Sequence, residues 1–277
     1  MEKFSVLMSV YAKDSPGHLE ESLRSLEGQT RPADEIVLIK DGPLGGELDK
    51  VIADFSARLP IKAIQLTENR GLGYALSVGV PECRHERIAR MDADDISVAD
   101  RFQLQMKYLE ANPEIDALSG AIMEFDAEPS MCVAQRHLPN DHASLFAFGK
   151  KRCPLNHMAV VFRKSSVLAA GNYQTRYRQE DYDLWVRMLV NGAIFHNLDN
   201  VLVLVRCGNG MQSRRGGLSY LSHEASLFWH FRSLGYINFS EFLYSIGIRV
   251  PVRLFPSEYR SLLYRAFVRK PPTMIKS

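Results

Sequence analysis

Short apolar runs alternate with helical patterns over roughly the first 125 residues of the chain. The runs have the length of strands and are rich in Val, Ile and Leu, which favours buried β-strands. Between them, apolar residues recur every three or four positions, as at Leu19, Leu23 and Leu26, which is typical of amphipathic helices. The predicted strands are 3–11, 34–42, 61–69, 86–92 and 115–126, and the predicted helices are 18–29, 47–59, 71–82 and 99–112.

This alternation predicts an α/β fold with a mostly parallel sheet covered by helices on both faces. In such sheets, ligands bind at the carboxyl ends of the strands. Three polar clusters each follow a predicted strand: Asp41-Gly42, the segment 69–71 and the segment 92–95. We therefore expect these clusters to meet along one edge of the sheet.

The second half of the chain is less regular. A strand is predicted at 157–165, a short helix at 165–173, an amphipathic helix at 179–192 and a strand at 200–207. From Leu218 onward the pattern is helical. In the helix at 179–192, the residues predicted to face inward are Leu184, Trp185, Met188 and Leu189.

Several predicted helix ends depend on single residues. Asp100 is expected to cap the N-terminus of one helix, and Gly192 to end another. The helix that begins at 71 is expected to end before Pro81, because proline lacks the backbone N–H that a helix interior needs. Pro251 and Pro256 are expected to interrupt the C-terminal helices.

Composition and charge narrow the class of protein. The chain has 277 residues, 46% of them apolar, and a net charge of +2, which gives no argument for nucleic-acid binding. Its four cysteines show no paired spacing, which argues against a zinc cluster or a disulfide framework. The N-terminal apolar run is too short for a signal peptide, and no run is long enough to span a bilayer. The expectation is a cytosolic protein.

The segment "ARMDADDIS", residues 89–97, concentrates three carboxylates at Asp92, Asp94 and Asp95. It could be a solvated turn, since Asp is common in turns and near helix starts. It fits an EF-hand poorly, because Ser97 stands where that loop needs glycine. A haloacid-dehalogenase-like phosphatase is a further competitor. The remaining interpretation is a divalent cation held by carboxylate oxygens and shared with the phosphates of a ligand.

Four stretches in order resemble the inverting glycosyltransferases of family 2: "SVLMSVYAKDSPGHLEESLRSLEGQTRPADEIVLIKDGP", "TENRGLGYALSVG", "RMDADD" and "QEDYDLWVRM". They extend over about residues 4–207, three-quarters of the chain. Each motif alone is weak, but four at suitable distances are specific. The resemblance implies the GT-A fold, with a catalytic domain over 1–217 and a helical extension over 218–277. Within that domain, 1–125 would be the nucleotide-sugar half and 126–217 the acceptor half.

The resemblance also implies roles at the donor end. Tyr11 and Asp41 match the residues that cradle the uridine, although Asp41-Gly42 is also compatible with a simple turn. The nucleotide-sugar segment would include Asn69 and Gly71, whose alternative role is a tightly packed helix start. Asp94 would ligate Mn²⁺ or Mg²⁺, and Asp92 would share a ribose or metal role. Asp95 could replace Asp94 as the metal ligand.

At the acceptor end, Asp181 matches the catalytic base. An inverting transfer needs one carboxylate to take the proton of the acceptor hydroxyl, because the departing diphosphate is stabilised by the metal. The alternative for Asp181 is an acidic first helical turn favoured by the helix dipole. Glu180, Asn156 and His157 would contact the acceptor, although a histidine before a strand is often purely structural.

The chain departs from the processive members of the family, such as cellulose and hyaluronan synthases. Those carry QxxRW and transmembrane helices, whereas this chain has "QSRRG" with Gly216 in place of Trp. Transfer of a single sugar is therefore expected. Arg214 and Arg215 could neutralise the leaving diphosphate, or they belong to a solvated basic loop.

The C-terminal region interleaves apolar and basic residues, with seven Lys or Arg against two acids over 239–277. Such a segment can lie on an anionic membrane surface, and the alternative is a helical cap packed on the catalytic domain.

The expected enzyme is a peripheral inner-membrane protein of O-antigen or exopolysaccharide synthesis. It would transfer one hexose, glucose or galactose, from a UDP-sugar to an undecaprenyl-diphosphate-linked N-acetylhexosamine, with a β1,3 linkage. The alternatives are a dTDP-rhamnose or other deoxysugar transferase, and a non-catalytic nucleotide- or glycan-binding module.

Overall fold

The computed structural model describes residues 1–126, 128–176, 179–207 and 217–254, and within these ranges the strands form one sheet. The strands are Phe4–Val10 (β1), Glu35–Lys40 (β2), Ile61–Gln65 (β3), Arg87–Asp92 (β4), Ile96–Ser97 (β5), Ala117–Phe125 (β6), Cys132–Arg136 (β7), Val161–Arg163 (β8) and Phe195–Arg206 (β9). The helices are Pro16–Glu27 (α1), Gly46–Ser56 (α2), Leu72–Glu82 (α3), Arg101–Ala111 (α4), His142–Gly149 (α5), Lys164–Ala169 (α6), Glu180–Val190 (α7), Leu218–Ser233 (α8) and Phe239–Leu254 (α9).

The first four strands form a parallel half-sheet in the order β3-β2-β1-β4. Their carboxyl ends therefore point to the same edge, as predicted. In the register, Lys40 pairs with Val10 and Asp92 pairs with Ser9. The loops after β2 and β4 consequently flank the loop after β1, where Tyr11 follows.

The rest of the sheet is mixed. Strand β8 joins β4 to β6, and it runs antiparallel to both. Strand β9 is parallel to β6 and also pairs with the short β5, while β7 pairs with β6. Because β5 directly follows the DADD segment, its pairing with β9 ties that segment to the second half of the chain.

Two apolar layers cover the sheet because successive side chains of a strand point to opposite faces. Val6 and Met8 of β1 face a layer built with α1, α2 and α4. Leu7 faces the other layer, which includes residues of α3, α6, α7 and α8. The inward face predicted for α7 is confirmed, since Trp185 is fully buried there and Gly192 follows the helix with φ +86°.

One prediction about a helix end was wrong. Helix α3 continues through Pro81 to Glu82 instead of ending before the proline. A proline in a helix leaves the carbonyl four residues earlier without its usual N–H donor. Here that carbonyl belongs to Ser77, and it accepts a hydrogen bond from Nδ2 of Asn172 at 2.7 Å. A side chain from a distant loop thus replaces the missing backbone donor.

Other elements also differ from the prediction. His157–Ala159 form a 3-10 turn before β8 rather than the start of a strand. Strand β9 begins at Phe195, well before the predicted start at residue 200. Pairing with β6 extends the strand through a polar stretch, where the apolar pattern of a strand is missing. Strands β5 and β7 and helix α5 are short and were not predicted.

The C-terminal helices are described as far as Leu254. Helix α9 continues through Pro251, which was expected to interrupt it, while Pro256 lies outside the described residues. Asp100 does occupy the N-cap of α4, but its side chain makes no capping hydrogen bond. Among the described helices, none combines the length and the apolar character needed to cross a bilayer.

Candidate active site

The end of β2 is tied to the start of α3 by Asp41. Its two carboxylate oxygens accept the backbone N–H groups of Arg70 and Gly71, each at 2.9 Å. Gly42 has φ +86°, and a Cβ at that position would lie 2.6 Å from the nitrogen of Asn69. This close approach requires glycine. The first two predicted clusters therefore do meet at the sheet edge.

Asn69 and Tyr11 lie on the solvent side of this junction. Asn69 is exposed, and the side chain of Tyr11 is 39% exposed. The backbone N–H of Tyr11 donates to Asp14 at 3.0 Å, so the loop after β1 is braced by a carboxylate. Asp41 itself is buried, and its carboxylate holds the loop before α3 through its two hydrogen bonds to the backbone.

The three aspartates of the DADD loop differ in exposure. Asp95 is buried and accepts the backbone N–H of Arg206 at 3.0 Å. Asp94 is exposed, and its backbone oxygen accepts from the guanidinium of Arg206. Asp92 is half-buried and pairs with Arg90. An ion arriving from solvent would therefore reach Asp94 and Asp92 before Asp95.

These carboxylates repel one another. Desolvation and then the charge of Asp92 raise the pKa of Asp94. Burial, reinforced by Asp92 and Asp94, raises the pKa of Asp95 well above its ordinary value. Burial also raises the pKa of Asp14 to about 6, with smaller contributions from Asp94 and Asp92. A bound dication would remove this repulsion.

The donor set suits a hard divalent cation, because it consists of carboxylate oxygens. Within the described residues, however, no group of three or more His, Cys, Asp or Glu side chains is arranged to hold an ion. Asp92 and Asp94 fit such an ion only as two of its ligands. Oxygens of a bound diphosphate would have to complete the coordination.

The second acidic pair, Glu180 and Asp181, begins α7. Glu180 packs against the start of α3, where a Cβ at Gly73 would lie 3.1 Å from the Glu180 Cβ. Burial, followed by the charge of Asp181, raises the pKa of Glu180 to about 7. Its carboxyl is therefore partly protonated near neutral pH.

Asp181 has a thiol beside it. Oδ2 of Asp181 lies 3.6 Å from Sγ of Cys153, and the carbonyl of Leu155 lies 3.4 Å from the same sulfur. Burial and the charge of Asp181 raise the pKa of Cys153 well above its ordinary value. The thiol therefore keeps its proton and can donate it to either acceptor. Asp183, the third acid of α7, is buried instead and pairs with Arg187.

Arg90, a residue of β4, lies at the DADD end and was missed by the sequence analysis. It is buried beneath the DADD loop, where it pairs with Asp92, and its charge also acts on the pKa of Glu180 and Tyr173. Its Nε and Nη1 have no hydrogen-bond partner among the described residues. The available signal was an arginine inside an otherwise buried strand pattern.

Asn156 and His157 lie deeper than expected for direct ligand contacts. Asn156 is fully buried; its Oδ1 accepts from Arg136 at 2.6 Å, and its Nδ2 donates to the carbonyl of Gly120 at 2.8 Å. The ring of His157 lies 2.8 Å from the hydroxyl of Tyr173, and burial lowers its pKa well below the ordinary value. Their acceptor role stays a prediction.

The structure thus brings together Asp41 with Asn69 and Gly71, and Arg90 with Asp92. The pair Arg214 and Arg215 lies outside the described residues. Cys153, Tyr173 and Asp14 were also missed, because nothing in the local sequence distinguishes them from core or loop residues.

Two relatives are similar to this chain over nearly its full length. The chain is 37% identical over 268 residues to the UDP-Gal:alpha-D-GlcNAc-diphosphoundecaprenol beta-1,3-galactosyltransferase of Escherichia coli, covering 97% of each chain. It is 39% identical to the amylovoran biosynthesis glycosyltransferase AmsE of Erwinia amylovora, covering 94% of this chain and 97% of that protein.

Solved structures bear on the fold. TarS of S. aureus, in complex with UDP-GlcNAc, matches with a TM-score of 0.64 at 16% identity, over 81% of this chain and 65% of that one. A mannosyltransferase of Pyrobaculum calidifontis, in complex with GDP-Man and Mn²⁺, matches with a TM-score of 0.60 at 15% identity, over 95% and 79% of the two chains. The GT-A fold expected from the sequence is confirmed.

The sequence profile described as "Glycosyl transferase family 2" matches residues 5–167. Together with the two relatives of similar length, this match confirms the expected transferase class and excludes the phosphatase and EF-hand alternatives. The chain belongs to glycosyltransferase family 2.

Proposed function

We propose that this protein transfers a single hexose, galactose or glucose, from a UDP-sugar to an undecaprenyl-diphosphate-linked N-acetylhexosamine, with formation of a β1,3 linkage. The observation that carries the proposal is the proximity of two acidic ends: Asp92 pairs with the buried Arg90, and the charges of both residues act on the pKa of Glu180. A donor and an acceptor need such adjoining sites. The activity of the Escherichia coli relative, a UDP-galactose-dependent beta-1,3-galactosyltransferase, supports the choice of substrates.

At the donor end, Asp94 and Asp92 would hold Mn²⁺ or Mg²⁺ together with the diphosphate, and the ion would supply positive charge to the departing group. The mutual repulsion of these carboxylates supports the assignment. Tyr11 and Asp41 would line the nucleoside, with Asn69 and Gly71 beside it. Arg214 and Arg215 would add charge at the diphosphate.

At the acceptor end, Asp181 would act as the base. The acceptor hydroxyl oxygen forms a bond to the anomeric carbon while the bond from that carbon to the diphosphate oxygen breaks. The hydroxyl proton passes to the Asp181 carboxylate, and the electron pair leaves with the nucleoside diphosphate. This one-step displacement inverts the configuration. Mounting the base on a packed helix keeps it in position.

The neighbours of Asp181 would bind the acceptor. Glu180, with a pKa near 7, can donate a hydrogen bond to a sugar hydroxyl when it is protonated. Asn156 and His157 would act on the acceptor side through Arg136 and Tyr173, because their own side chains are enclosed. Since this acceptor carries a lipid, we place the protein peripherally on the cytoplasmic face of the inner membrane.

A donor panel tests the proposal. UDP-galactose, UDP-glucose and dTDP-rhamnose are compared by thermal shift with and without Mn²⁺, followed by transfer to a GlcNAc-diphosphate-lipid analogue. A preferred donor raises the melting temperature through binding linkage, and more so with the metal. We expect a UDP-hexose to do this and to be transferred with inversion.

Matched variants sharpen the test. Asp94→Asn should abolish the additional shift caused by Mn²⁺, whereas Asp100→Asn should keep it, because Asp100 is exposed and makes no capping bond. Stabilisation by dTDP-rhamnose alone, or full transfer by Asp94→Asn, would contradict the proposal.

A further inference from the structure

The exposed side of α9 has an unusual composition. Within the part of the helix whose side chains are described, the exposed positions recur as pairs four residues apart, which defines one continuous stripe. A surface helix normally places charged and polar residues on its outer face. Here the stripe contains no charged residue, and its members are Phe239, Ser240, Leu243, Tyr244, Gly247 and Ile248.

Helix α8 extends this surface. Trp229 is 52% exposed and packs edge-on against Phe242, which is itself stacked with Phe239. The large apolar side chains of the stripe are between 45% and 55% exposed. We name the helical apolar face as Trp229, Phe239, Leu243, Tyr244 and Ile248.

Cations surround the helical apolar face. The guanidinium of Arg232 lies 4.9 Å from the ring centroid of Trp229 and 5.4 Å from that of Phe239. Nζ of Lys151 lies 5.6 Å from the ring centroid of Tyr244.

Two further cations near the face, Lys150 and Arg249, are paired with Glu241 and Glu224. Among the described residues, these two with Arg232 and Lys151 make four cations against two carboxylates, so this border of the face is positive.

From this composition we infer that the helical apolar face docks on an anionic phospholipid surface. Aromatic side chains with adjacent cations suit the interface between lipid headgroups and acyl chains, where the rings are partly buried and the cations meet phosphate. Positive charge also attracts the protein to an anionic leaflet. The inference rests on the proposed function in one respect: a lipid-linked acceptor explains why the enzyme approaches a bilayer.

Two tryptophans make the test direct. The chain contains two tryptophans: Trp185, which is fully buried, and Trp229, which belongs to the helical apolar face. The full-length protein is titrated with vesicles of phosphatidylglycerol and phosphatidylethanolamine, and with phosphatidylcholine vesicles for comparison. We expect the emission of Trp229 to shift to the blue with the anionic vesicles and to be quenched by brominated lipid. Trp229→Phe should still sediment with the vesicles but lose the shift.

Variants identify the face. Phe239→Ser combined with Leu243→Ser should weaken vesicle binding by about tenfold or more, because each apolar side chain inserted into the bilayer adds to membrane affinity. Val133→Ser combined with Leu168→Ser is the matched control, since both residues are similarly exposed on other elements. The control should bind as the wild type does.

Three results would overturn the inference. Binding that is unaffected by the Phe239 and Leu243 changes would place the contact elsewhere. Trp229 shielded from acrylamide without vesicles would mean that residues 255–277 or a second copy of the chain cover the face. Equal binding to phosphatidylcholine would remove the role of charge. Transfer to a water-soluble acceptor analogue is measured in parallel, so that failure of the proposed activity is seen separately from failure of docking.

Discussion

The two acidic ends of the candidate active site are built in different ways. The DADD end lies on a loop after a parallel strand, with Asp94 exposed to solvent and Asp92 half-buried. The other end is the first turn of a packed helix, where Glu180 is held against the start of α3. The loop end suits a charged ligand that arrives with its own ion, whereas the helix end suits one positioned proton acceptor. In the proposed mechanism, the DADD end thus binds the donor, and the helix end takes part in the chemical step.

The largest effect is expected at the helix end. Asp181→Asn should lower the transfer rate by about 10²–10⁴-fold, the usual contribution of a general base. Donor binding should remain, because Asp181 is assigned to the acceptor hydroxyl and not to the nucleotide. Single-turnover transfer measured beside UDP-sugar binding checks both expectations. Loss of donor binding in this variant would show that the two ends are not separate.

Substitution of Arg90 tests how far its charge stabilises the DADD end, where it pairs with Asp92. Arg90→Met should cost about 3 kcal/mol of unfolding free energy, because it leaves the Asp92 carboxylate without its buried partner. Mn²⁺ should restore part of this loss, since the ion supplies the missing positive charge. Arg87→Met is the matched control: Arg87 is equally buried on β4, but it pairs with Glu2 and the carbonyl of Ile115. Denaturant melts with and without Mn²⁺ should show rescue of Arg90→Met alone.

The raised pKa of Glu180 predicts that the stability of the folded protein depends on pH. Its folded-state pKa of about 7 lies above the ordinary 4.5, so the folded protein holds this proton more tightly than the unfolded chain does. Stability therefore falls as the pH rises from about 4.5 to 7, and the full cost persists above that. Glu180→Gln should be more stable than the wild type by about 2 kcal/mol at pH 8. Near pH 4.5 the two proteins should melt alike, and a gap that does not vary with pH would contradict the shift.

The smallest expected effect concerns Cys153. Its thiol is shared between Asp181 and the carbonyl of Leu155, so it restrains the base only weakly. Cys153→Ala should lower kcat/KM a few-fold, because a hydrogen bond from a weakly donating thiol is worth about 1 kcal/mol. Cys153→Ser keeps a donor and should retain most of the rate. Equal losses in the two variants would indicate a packing defect instead.

The meeting of the polar clusters at one edge of the sheet could largely be predicted from the sequence. Asp41, Asn69 and Asp92 each follow an apolar run, and the geometry of parallel strands brings such positions to one edge. Helix α7 could also be predicted, because its apolar residues recur with helical spacing. The elements that escaped prediction are short or polar, such as β5 and the first half of β9. They exist because neighbouring strands offer hydrogen bonds, which the local pattern does not reveal.

Apolar periodicity and motif spacing are local properties of the chain, so the sequence alone indicates the main strands and helices and the family of the protein. Which carboxylates face solvent depends on the tertiary structure. The backbone N–H of Arg206, distant in sequence, donates a hydrogen bond to the buried Asp95, whereas Asp94 is exposed. The tertiary structure also buries Arg90 beside Asp92 beneath the DADD loop and leaves an uncharged stripe on the outside of α9. Exposure and charge pairing depend on what packs against each residue, and that is settled only when distant segments meet.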